Sequence, residues 1–281
     1  MTTNAPLISV ALLVRNGMPG LAQLLAALRS QEHSRDFEIV AVDSGSADGS
    51  LEVLADAGAR VTQIDRAAFR FGPTRQLAFS LTRGRVIVTM SQDTLPTGSS
   101  WLRSLTEPIL NNEYDIVQAV ETAPQAIGKK LYLHQLGNVY KHWPSPYNRI
   151  SCAGMAISRN AWEQTGFGDV SMSEDKYLGA QAIKLGLRMC FSSGPPLAHG
   201  HEYTPFSLVK RAFNEGMGAR NTGGYYSFGD MLRDLTRADL YRYALAAILK
   251  HRTMKPSEAF CFPLRPVFLQ IGFRFGRRYW R

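Results

Sequence analysis

The sequence has few cysteines, and they lack the spacing that cysteine sites require. Cys152, Cys190 and Cys261 are the only three among 281 residues. An odd number at wide separation argues against a disulfide framework and against a paired zinc or redox site. This usage suits a reducing compartment, so we expect the protein to be made and kept in the cytoplasm.

Long apolar runs are also missing. No uninterrupted apolar stretch reaches the roughly 20 residues that cross a bilayer. The first apolar run, Leu7 to Val14, has the length of a strand and lacks the basic leader and cleavage site of a secretory signal. With 45% hydrophobic and 20% charged residues, the composition is that of an ordinary globular protein. The length allows one large domain plus an appendage.

Acidic residues are scarce relative to basic ones, and the formal net charge is +9. Charge alone does not distinguish nucleic acid, anionic lipid and phosphorylated substrate as partners. Its distribution is more specific, because eight Lys or Arg accompany one acid, Glu258, between Lys250 and Arg281. These charges alternate with aromatic and aliphatic residues, which is typical of a segment on a membrane surface. The alternative is a helix packed on the main domain with its basic side chains in water.

Short β-branched runs alternate with amphipathic stretches through the first half of the chain. This alternation predicts crossover units and a mostly parallel sheet. The predicted strands are Ile8–Val14, Glu38–Val42, Val61–Ile64, Val86–Met90 and Asp115–Gln118, and the predicted helices are Leu21–Gln31, Ser50–Ala57, Thr74–Thr82 and Trp101–Leu110. Open α/β folds bind their ligands at the edge where parallel strands end.

Polar residues follow three of these strands, and we expect them to cluster at that edge. They are Arg15, Asn16, Asp43, Ser44, Ser91, Gln92 and Asp93. Asp93 is the only carboxylate in the turn Met90 to Pro96, which follows the apolar run Val86 to Met90. It either supplies a ligand at the sheet edge or caps the helix that begins near Trp101.

Two further features have an anion-binding interpretation. The loop Asp43 to Ser50 contains small residues whose backbone N–H groups suit an anion, and Asp43 suits a ribose or base donor. The loop matches neither a P-loop nor the dinucleotide fingerprint, and a helix cap by Ser46 or Asp48 is the alternative. Arg75, at a helix start, suits either a phosphate or plain solvation.

The second half contains two groups of candidate catalytic residues. Glu174 and Asp175 open a helix running to about Leu185, where acids are either favoured by the helix dipole or placed as a general base. His199 and His201 occupy alternate positions of an extended segment and so point the same way, which suits a metal site. The remaining predicted elements are strands Cys152–Ile157 and Arg188–Ser192, helices Arg159–Gln164, Leu208–Gly216 and Leu232–Leu249, and an irregular region from Pro124 to Asn148.

Several segments together resemble the family-2 glycosyltransferases, which have the GT-A fold. The resemblance runs from Pro6 to Gly216 and rests on ISVALLVRNG, VDSGSADGS, FRFGPTRQLA, SQD, SED, and HGHEYT followed by KRAFNEG. Within the family, the combination of FGPTRQLA, SQDTLP and HGHEYT is most similar to the bacterial rhamnosyltransferases.

The resemblance implies an α/β architecture with a Rossmann-like, mostly parallel central sheet flanked by helices. Residues 1–204 would form the catalytic domain, and residues 205–281 a helical extension with a basic, aromatic, membrane-associating tail. The nucleotide of an activated sugar would lie on the strand ends, with Arg75 helping to hold the donor. The implied donor-binding residues are Arg15, Asn16, Asp43, Ser44, Arg75, Ser91 and Gln92.

The resemblance also implies a metal and a base. Mg2+ or Mn2+ would bridge the diphosphate, with Asp93 as a ligand and His201, alone or with His199, closing the site. Asp175 would be the catalytic base. The usual two-acid motif is here Ser91-Gln92-Asp93, which leaves one carboxylate, so we expect metal affinity to be low until the donor binds.

These inferences predict an inverting glycosyltransferase that moves a sugar from dTDP-rhamnose or a similar donor to a lipid-linked glycan. We expect it to act in surface polysaccharide (O-antigen) biosynthesis, as a peripheral protein on the inner face of the plasma membrane with no nucleic-acid partner. One alternative is a sugar nucleotidyltransferase, although the glycine-rich Arg and Lys signature after the first strand is missing. Another is a catalytically silent scaffold, which the lost acid before Asp93 favours and the intact SED and HGH segments oppose.

Overall fold

The computed structural model describes residues 6–32, 37–122, 150–199, 204–238, 241–242, 245, 249 and 264–277. The strands within these ranges are β1 (Ile8–Val14), β2 (Phe37–Asp43), β3 (Arg60–Gln63), β4 (Val86–Ser91), β5 (Thr94–Pro96), β6 (Ile116–Gln118), β7 (Glu121–Thr122), β8 (Gly154–Ser158), β9 (Met189–Phe191) and β10 (Leu197–His199). The helices are α1 (Gly20–Arg29), α2 (Ser50–Asp56), α3 (Phe71–Ser80), α4 (Trp101–Leu110), α5 (Arg159–Thr165), α6 (Glu174–Lys184), α7 (Pro205–Asn221), α8 (Phe228–Leu235) and α9 (Leu264–Phe275).

A central sheet of seven strands has the order β3-β2-β1-β4-β8-β6-β9. Strands β3, β2, β1 and β4 run parallel. Strand β8 is antiparallel to both of its neighbours, β4 and β6, while β6 and β9 are parallel. The sheet is therefore mostly parallel, as the alternating pattern of the sequence predicted.

Helices cover both faces of this sheet, and each face has its own hydrophobic cluster. On one face, Leu28 of α1 and Trp101 of α4 pack against Val10 and Leu12 of β1. On the other face, Phe79 of α3 packs with side chains of α5, α6 and β8. Because successive strand residues point to opposite faces, strands covered on both sides must be apolar throughout. This requirement explains the near-continuous apolar runs of β1 and β4.

A second sheet of three short strands lies beyond the end of β4, with the order β5-β10-β7. Strand β5 begins directly after Asp93 and pairs antiparallel with β10, so that His199 lies opposite Thr94. Strand β7 pairs parallel with β10. The sequence had indicated only a turn after β4. The small sheet brings three distant segments of the chain to one place.

The C-terminal helices pack closely on one another. Helix α7 begins earlier than predicted, because Thr204 and Ser207 form a capping box at its start, and it ends later, at Asn221. A side chain at Gly216 of α7 would collide with the backbone of α9, and one at Gly272 of α9 would collide with the backbone of α7. Glycines at both positions therefore allow the two helices to pack backbone against backbone. Helix α9 of the tail packs on α7 and α8 of the extension, and its Arg265 is buried in an ion pair with Glu215 of α7. Contact of the tail with a membrane stays a prediction.

One predicted helix, Leu232–Leu249, is interrupted at Thr236 and Arg237, and residues 238, 241–242, 245 and 249 beyond the break are helical. Helix α8 ends at Leu235, and the hydroxyl of Thr236 donates to the backbone oxygens of Leu232 and Arg233 at 3.1 and 3.0 Å. Side-chain hydrogen bonds of this kind compete with the backbone pattern of a continuing helix. Residues 239–240, 243–244 and 246–248 of the predicted helix lie outside the described residues. Among the helices that the structure describes, none combines the length and apolar character needed to span a bilayer.

Candidate active site

The ends of β1 and β4 are joined through Gln92 and Arg15. The side-chain oxygen of Gln92 accepts from the backbone N–H of Arg15 at 2.8 Å, and its amide nitrogen donates to the backbone oxygen of Arg15 at 2.9 Å. The Arg15 side chain is left exposed at the sheet edge. The prediction that these strand ends lie together is confirmed.

The loop after β2 closes on the end of β1. The buried carboxylate of Asp43 accepts from the backbone N–H groups of Gly45 and Ser46 at 3.0 and 3.1 Å, and from the Ser46 hydroxyl. Asn16 donates its backbone N–H to Ser46 Oγ and accepts from the backbone N–H of Ala47, each at 2.9 Å. Asp43 thus shapes its own loop, and its contact with a donor stays a prediction.

Ser44 and Ser91 also lie at these strand ends. The backbone N–H of the buried Ser44 donates to the Val14 oxygen at 3.0 Å, which continues the parallel ladder between β1 and β2. The backbone N–H of Ser91 donates to the oxygen of Ala153 at 3.1 Å. Both serines therefore lie where the resemblance placed the donor, and their donor contacts stay predictions.

Asp93, His199 and Glu121 form a chain of polar contacts in the small sheet. The Nδ1 atom of His199 lies 2.8 Å from Glu121 Oε2, and its Nε2 atom lies 3.8 Å from Asp93 Oδ1. The exposed fractions of these side chains are 20% for Glu121, 5% for His199 and 40% for Asp93. The imidazole is thus buried between an inner carboxylate and one that faces solvent. The helix-cap alternative for Asp93 is wrong, because the N-cap position of α4 is Ser100, whose side chain makes no capping hydrogen bond.

Asp93 and His199 offer a carboxylate oxygen and an imidazole nitrogen, a donor set that fits a divalent cation. Their 3.8 Å separation exceeds a hydrogen bond but allows one cation to contact both atoms at about 2.0–2.2 Å. His201, the other predicted ligand, lies outside the described residues. Within the described ranges, no group of three or more His, Cys, Asp or Glu side chains is arranged to hold a metal ion. A cation here would therefore need further ligands, such as the oxygens of a diphosphate.

Glu121 is a residue that the sequence analysis missed. It follows a predicted strand by three residues, so the rule that selected Asp93 would also have indicated Glu121. Its pairing with His199, 78 positions away in the chain, depends on the β7–β10 ladder. Local sequence gives no sign of that ladder.

Arg75 is buried rather than solvated. Its Nε atom donates to Glu174 Oε1 at 2.9 Å and its Nη1 atom donates to Thr89 Oγ1 at 2.5 Å, in a site where the side chains of the ion pair are 5% and 7% exposed. Burial raises the pKa of the Glu174 carboxyl above its ordinary value, and the positive charge of Arg75 opposes this rise. The surface-charge alternative is wrong, and the contact of Arg75 with a donor stays a prediction.

Asp175 adjoins Glu174 in the chain but has a different environment. Its side chain is 22% exposed, and its Oδ1 atom accepts from the backbone N–H of Lys176 at 2.8 Å. The Lys176 ammonium lies 3.5 Å from Asp175 Oδ2 and donates to the backbone oxygen of Ile150 at 2.8 Å. The structure therefore separates two acids that the sequence left equivalent: Glu174 is paired inside the protein, and Asp175 is accessible.

A cavity of about 320 Å³ lies elsewhere, between the end of α7, the start of α8 and the end of α9. Its lining residues are Arg220, Tyr225, Tyr226, Ser227, Phe273 and Arg274, and none of them is a predicted site residue. The guanidinium of Arg220 donates to the backbone oxygens of Phe273 and Arg274 at 3.1 and 3.2 Å. This arginine thus caps the end of α9.

Comparison with known proteins settles the family. Residues 9–156, more than half of the chain, match the family model described as Glycosyl transferase family 2. The chain belongs to this family. The family resemblance inferred from the motifs is thereby confirmed.

A curated relative supports the likeness to the rhamnosyltransferases. The O-antigen chain rhamnosyltransferase RfbN of Salmonella typhimurium is 23% identical to this chain over 212 residues. The alignment covers 69% of this chain and 66% of RfbN, so the chain spans slightly less than two-thirds of that relative.

Solved structures show the same fold. The mannosyltransferase PcManGT from Pyrobaculum calidifontis, in complex with GDP-Man and Mn2+, has a TM-score of 0.67 at 17% identity, over 98% of this chain and 89% of that one. Glucosyl-3-phosphoglycerate synthase from Mycobacterium tuberculosis, in complex with Mn2+, UDP-glucose and phosphoglyceric acid, has a TM-score of 0.55 at 19% identity, over 79% and 81% of the two chains. The predicted GT-A fold is confirmed.

Proposed function

We propose that this glycosyltransferase moves a sugar from a nucleoside-diphosphate donor to an acceptor hydroxyl, with inversion at the anomeric carbon. In this proposal, residues 1–204 of the protein form the catalytic domain and residues 205–281 form a helical extension. The observation that carries the proposal is the pair Asp93 and His199 beside the joined ends of β1, β2 and β4, in a chain of this family. That edge of the sheet is where open α/β folds bind nucleotides.

The donor nucleotide would lie against the strand ends. Arg15 and Asn16 present exposed side chains there, and the loop after Asp43 is held rigid by its own hydrogen bonds. Rigid polar groups bind a ligand at a smaller entropic cost than mobile ones. Ser44, Ser91 and Gln92 would complete the donor-binding surface. Arg75 would support this surface from the protein interior, where it binds Glu174 and Thr89.

Asp93 and His199 would hold a divalent cation against the diphosphate, together with His201. When bound, such a cation neutralises the negative charge that grows on the departing nucleoside diphosphate. A mixed oxygen and nitrogen donor set suits Mn2+ better than Mg2+, which prefers oxygen ligands. The solved structures of the PcManGT and glucosyl-3-phosphoglycerate synthase complexes contain Mn2+. We therefore propose Mn2+, with Mg2+ as the other candidate.

Asp175 would take the proton of the acceptor hydroxyl. As the acceptor oxygen bonds to the anomeric carbon, the bond from that carbon to the diphosphate oxygen breaks and its electron pair leaves with the nucleoside diphosphate. This single displacement needs one base and inverts the configuration. The accessible carboxylate of Asp175 fits this role, whereas the buried Glu174 is held by Arg75.

The proposed donor is dTDP-rhamnose, and the proposed acceptor is a lipid-linked glycan in surface polysaccharide synthesis. The likeness to RfbN, a rhamnosyltransferase of O-antigen chains, supports both parts. An acceptor of this type lies at the inner leaflet of the plasma membrane, so we propose a cytoplasmic, peripheral protein. No nucleic acid is involved.

Nucleotide sugars assayed one at a time, with lipid-linked acceptors and Mn2+, test this function. We expect dTDP-rhamnose to give dTDP and a longer glycan, and EDTA to stop the reaction. Pyrophosphate release from a sugar phosphate and a nucleoside triphosphate would instead identify a nucleotidyltransferase. Failure of every donor to turn over with lipid-linked acceptors would favour the scaffold alternative and contradict the proposed transfer.

The tail offers a separate test of membrane association. Arg274, Phe275 and Arg277 are exposed at the end of α9, and Phe275 is 73% exposed. Changing Arg274 and Arg277 to glutamine should weaken binding to phosphatidylglycerol vesicles, since each basic residue near an anionic surface contributes about 1 kcal/mol. Sedimentation with vesicles measures the loss, which should be about fivefold per arginine.

The matched control for the tail removes two exposed charges from the catalytic domain. Arg66→Gln with Arg85→Gln lowers the net charge equally at sites far along the chain from α9. Equal loss of vesicle binding in both double variants would show a general charge effect and would contradict a specific role of the tail.

A further inference from the structure

We propose that Glu121 is a positioning residue for the cation site. Its carboxylate would hold the imidazole of His199 so that Nε2 faces Asp93 and the cation. This inference rests on the proposed function, because it assigns a role within the same site.

The position of Glu121 is fixed by backbone pairing. Strand β7 pairs with β10 so that Glu121 lies opposite Leu197, two residues before His199. Strand β10 pairs on its other side with β5, which places His199 opposite Thr94, the residue after Asp93. The paired strands therefore place the His199 side chain between those of Glu121 and Asp93. A carboxylate in this place is a product of the small sheet and not of a mobile loop.

The contact between Glu121 and His199 selects one form of the ring. An ionised carboxylate only accepts hydrogen bonds, so the Nδ1 atom, 2.8 Å from Glu121 Oε2, must carry a proton. In the neutral ring Nε2 then holds the lone pair, and this is the atom that lies 3.8 Å from Asp93 Oδ1. Histidines that bind metals commonly donate their second ring N–H to a carboxylate in this way, which orients the ring and raises its basicity.

The burial of the three side chains assigns their separate roles. His199 is 5% exposed and lies between Glu121 and Asp93, which is the most exposed of the three at 40%. Glu121 therefore does not contact the cation itself and acts on it only by orienting the imidazole of His199. In the competing arrangement both ring nitrogens of His199 carry a proton and donate to the two carboxylates. Nε2 then has no lone pair with which to bind a cation. The two arrangements differ in the proton on Nε2 and in metal binding.

The first experiment measures Mn2+ binding to the full-length protein by electron paramagnetic resonance, with Mn2+ alone and with added dTDP or UDP. We expect Glu121→Ala to weaken Mn2+ binding about 10- to 100-fold, the usual loss when the outer partner of a metal-binding histidine is removed. Glu121→Gln should retain most of the affinity, because an amide oxygen still accepts from Nδ1–H. His199→Ala should lose at least as much as Glu121→Ala.

Glu107→Ala, an exposed acid on α4, is the control and should bind Mn2+ as the unmodified protein does. Thermal unfolding of each variant separates a local effect from loss of the fold. Unchanged Mn2+ affinity in a folded Glu121→Ala variant would overturn the positioning role. Failure of the unmodified protein to bind Mn2+ under all three conditions would overturn it too.

The second experiment observes the ring itself, without metal and without turnover. In an 15N-labelled protein at about pH 9, where an imidazole is ordinarily neutral, long-range 15N–1H spectra distinguish the two tautomers. We expect the signal that disappears in His199→Ala to show the proton on Nδ1, and Glu121→Ala to shift it toward a mixture. A proton on Nε2 in the unmodified protein would overturn the inference. Sugar transfer that proceeds with EDTA present would support the proposed transferase activity. It would contradict the role of Glu121, because no cation would then be needed.

Discussion

Replacing Asp175 with asparagine should lower sugar transfer by about 100- to 10,000-fold, the usual contribution of a general base. The amide has nearly the shape of the carboxylate but does not take the proton of the acceptor hydroxyl. Donor binding should change little, because the proposed donor contacts lie on the strand ends and at Asp93. The measurements are the rate of dTDP release with acceptor present and the Kd of dTDP with Mn2+.

The control for this change is Glu163→Gln, which removes an exposed acid from α5 on the same side of the sheet. It should transfer sugar at the rate of the unmodified protein. Full turnover by Asp175→Asn would remove Asp175 as the base. Loss of both dTDP binding and transfer would assign Asp175 to donor binding instead.

Replacing Arg75 with methionine should destabilise the fold by about 3–5 kcal/mol, the usual cost of removing one partner from a buried ion pair. The change leaves the carboxylate of Glu174 buried without its cation. Urea unfolding followed by circular dichroism measures the loss. Transfer should fall as well, because the Arg75–Glu174 pair ties the turn that carries Asp175 to Thr89 of β4.

The destabilisation should also depend on pH. Burial raises the pKa of Glu174 above its ordinary value of 4.5, so the folded state binds a proton more tightly than the unfolded state does. The stability that protonated Glu174 contributes is fully present when the pH is below its ordinary pKa of 4.5. That contribution is lost as the pH rises through the raised pKa of the folded state. Without Arg75 the pKa of Glu174 is raised further, because the positive charge of Arg75 no longer opposes the effect of burial. The difference in unfolding free energy between variant and parent should therefore grow as the pH rises above 4.5.

A second change at the partner provides the control. Arg75→Met combined with Glu174→Gln removes the unpaired charge and should recover much of the stability and flatten the pH dependence. Arg188→Met breaks an exposed pair with Asp115 and should cost only about 0–1 kcal/mol. Equal losses in Arg75→Met and Arg188→Met, both independent of pH, would contradict the importance of the buried pair.

Much of the fold was predictable because hydrophobic periodicity is a local signal. The strands β1 and β4 are near-continuous apolar runs, and the structure gives β1 the predicted bounds. The rule that parallel strands end at one edge placed Arg15 beside Gln92 before any contact was known. It also placed Asp93 at the ligand edge, and the structure brings Asp93 within 3.8 Å of His199.

Two of the differences from the predictions share one physical origin, since each concerns a partner far away in the chain. An arginine after a helix start has the same local sequence whether it meets water or Glu174, 99 positions away. Strand β5 is too short to show a period, and only its pairing with β10 makes it a strand. The third difference is local: helix α8 ends at Leu235 although the apolar pattern continues, because the Thr236 hydroxyl donates to the backbone oxygens of Leu232 and Arg233.

By itself the sequence determined the layered α/β architecture, the family and the set of polar residues at the sheet edge. These follow from patterns within single segments and from the order of motifs along the chain. The tertiary structure decided which of two neighbouring acids is buried, that Arg75 pairs with Glu174, and that Glu121 contacts His199. Such choices depend on burial and on hydrogen bonds between segments remote in sequence, and these exist only once the sheets have formed.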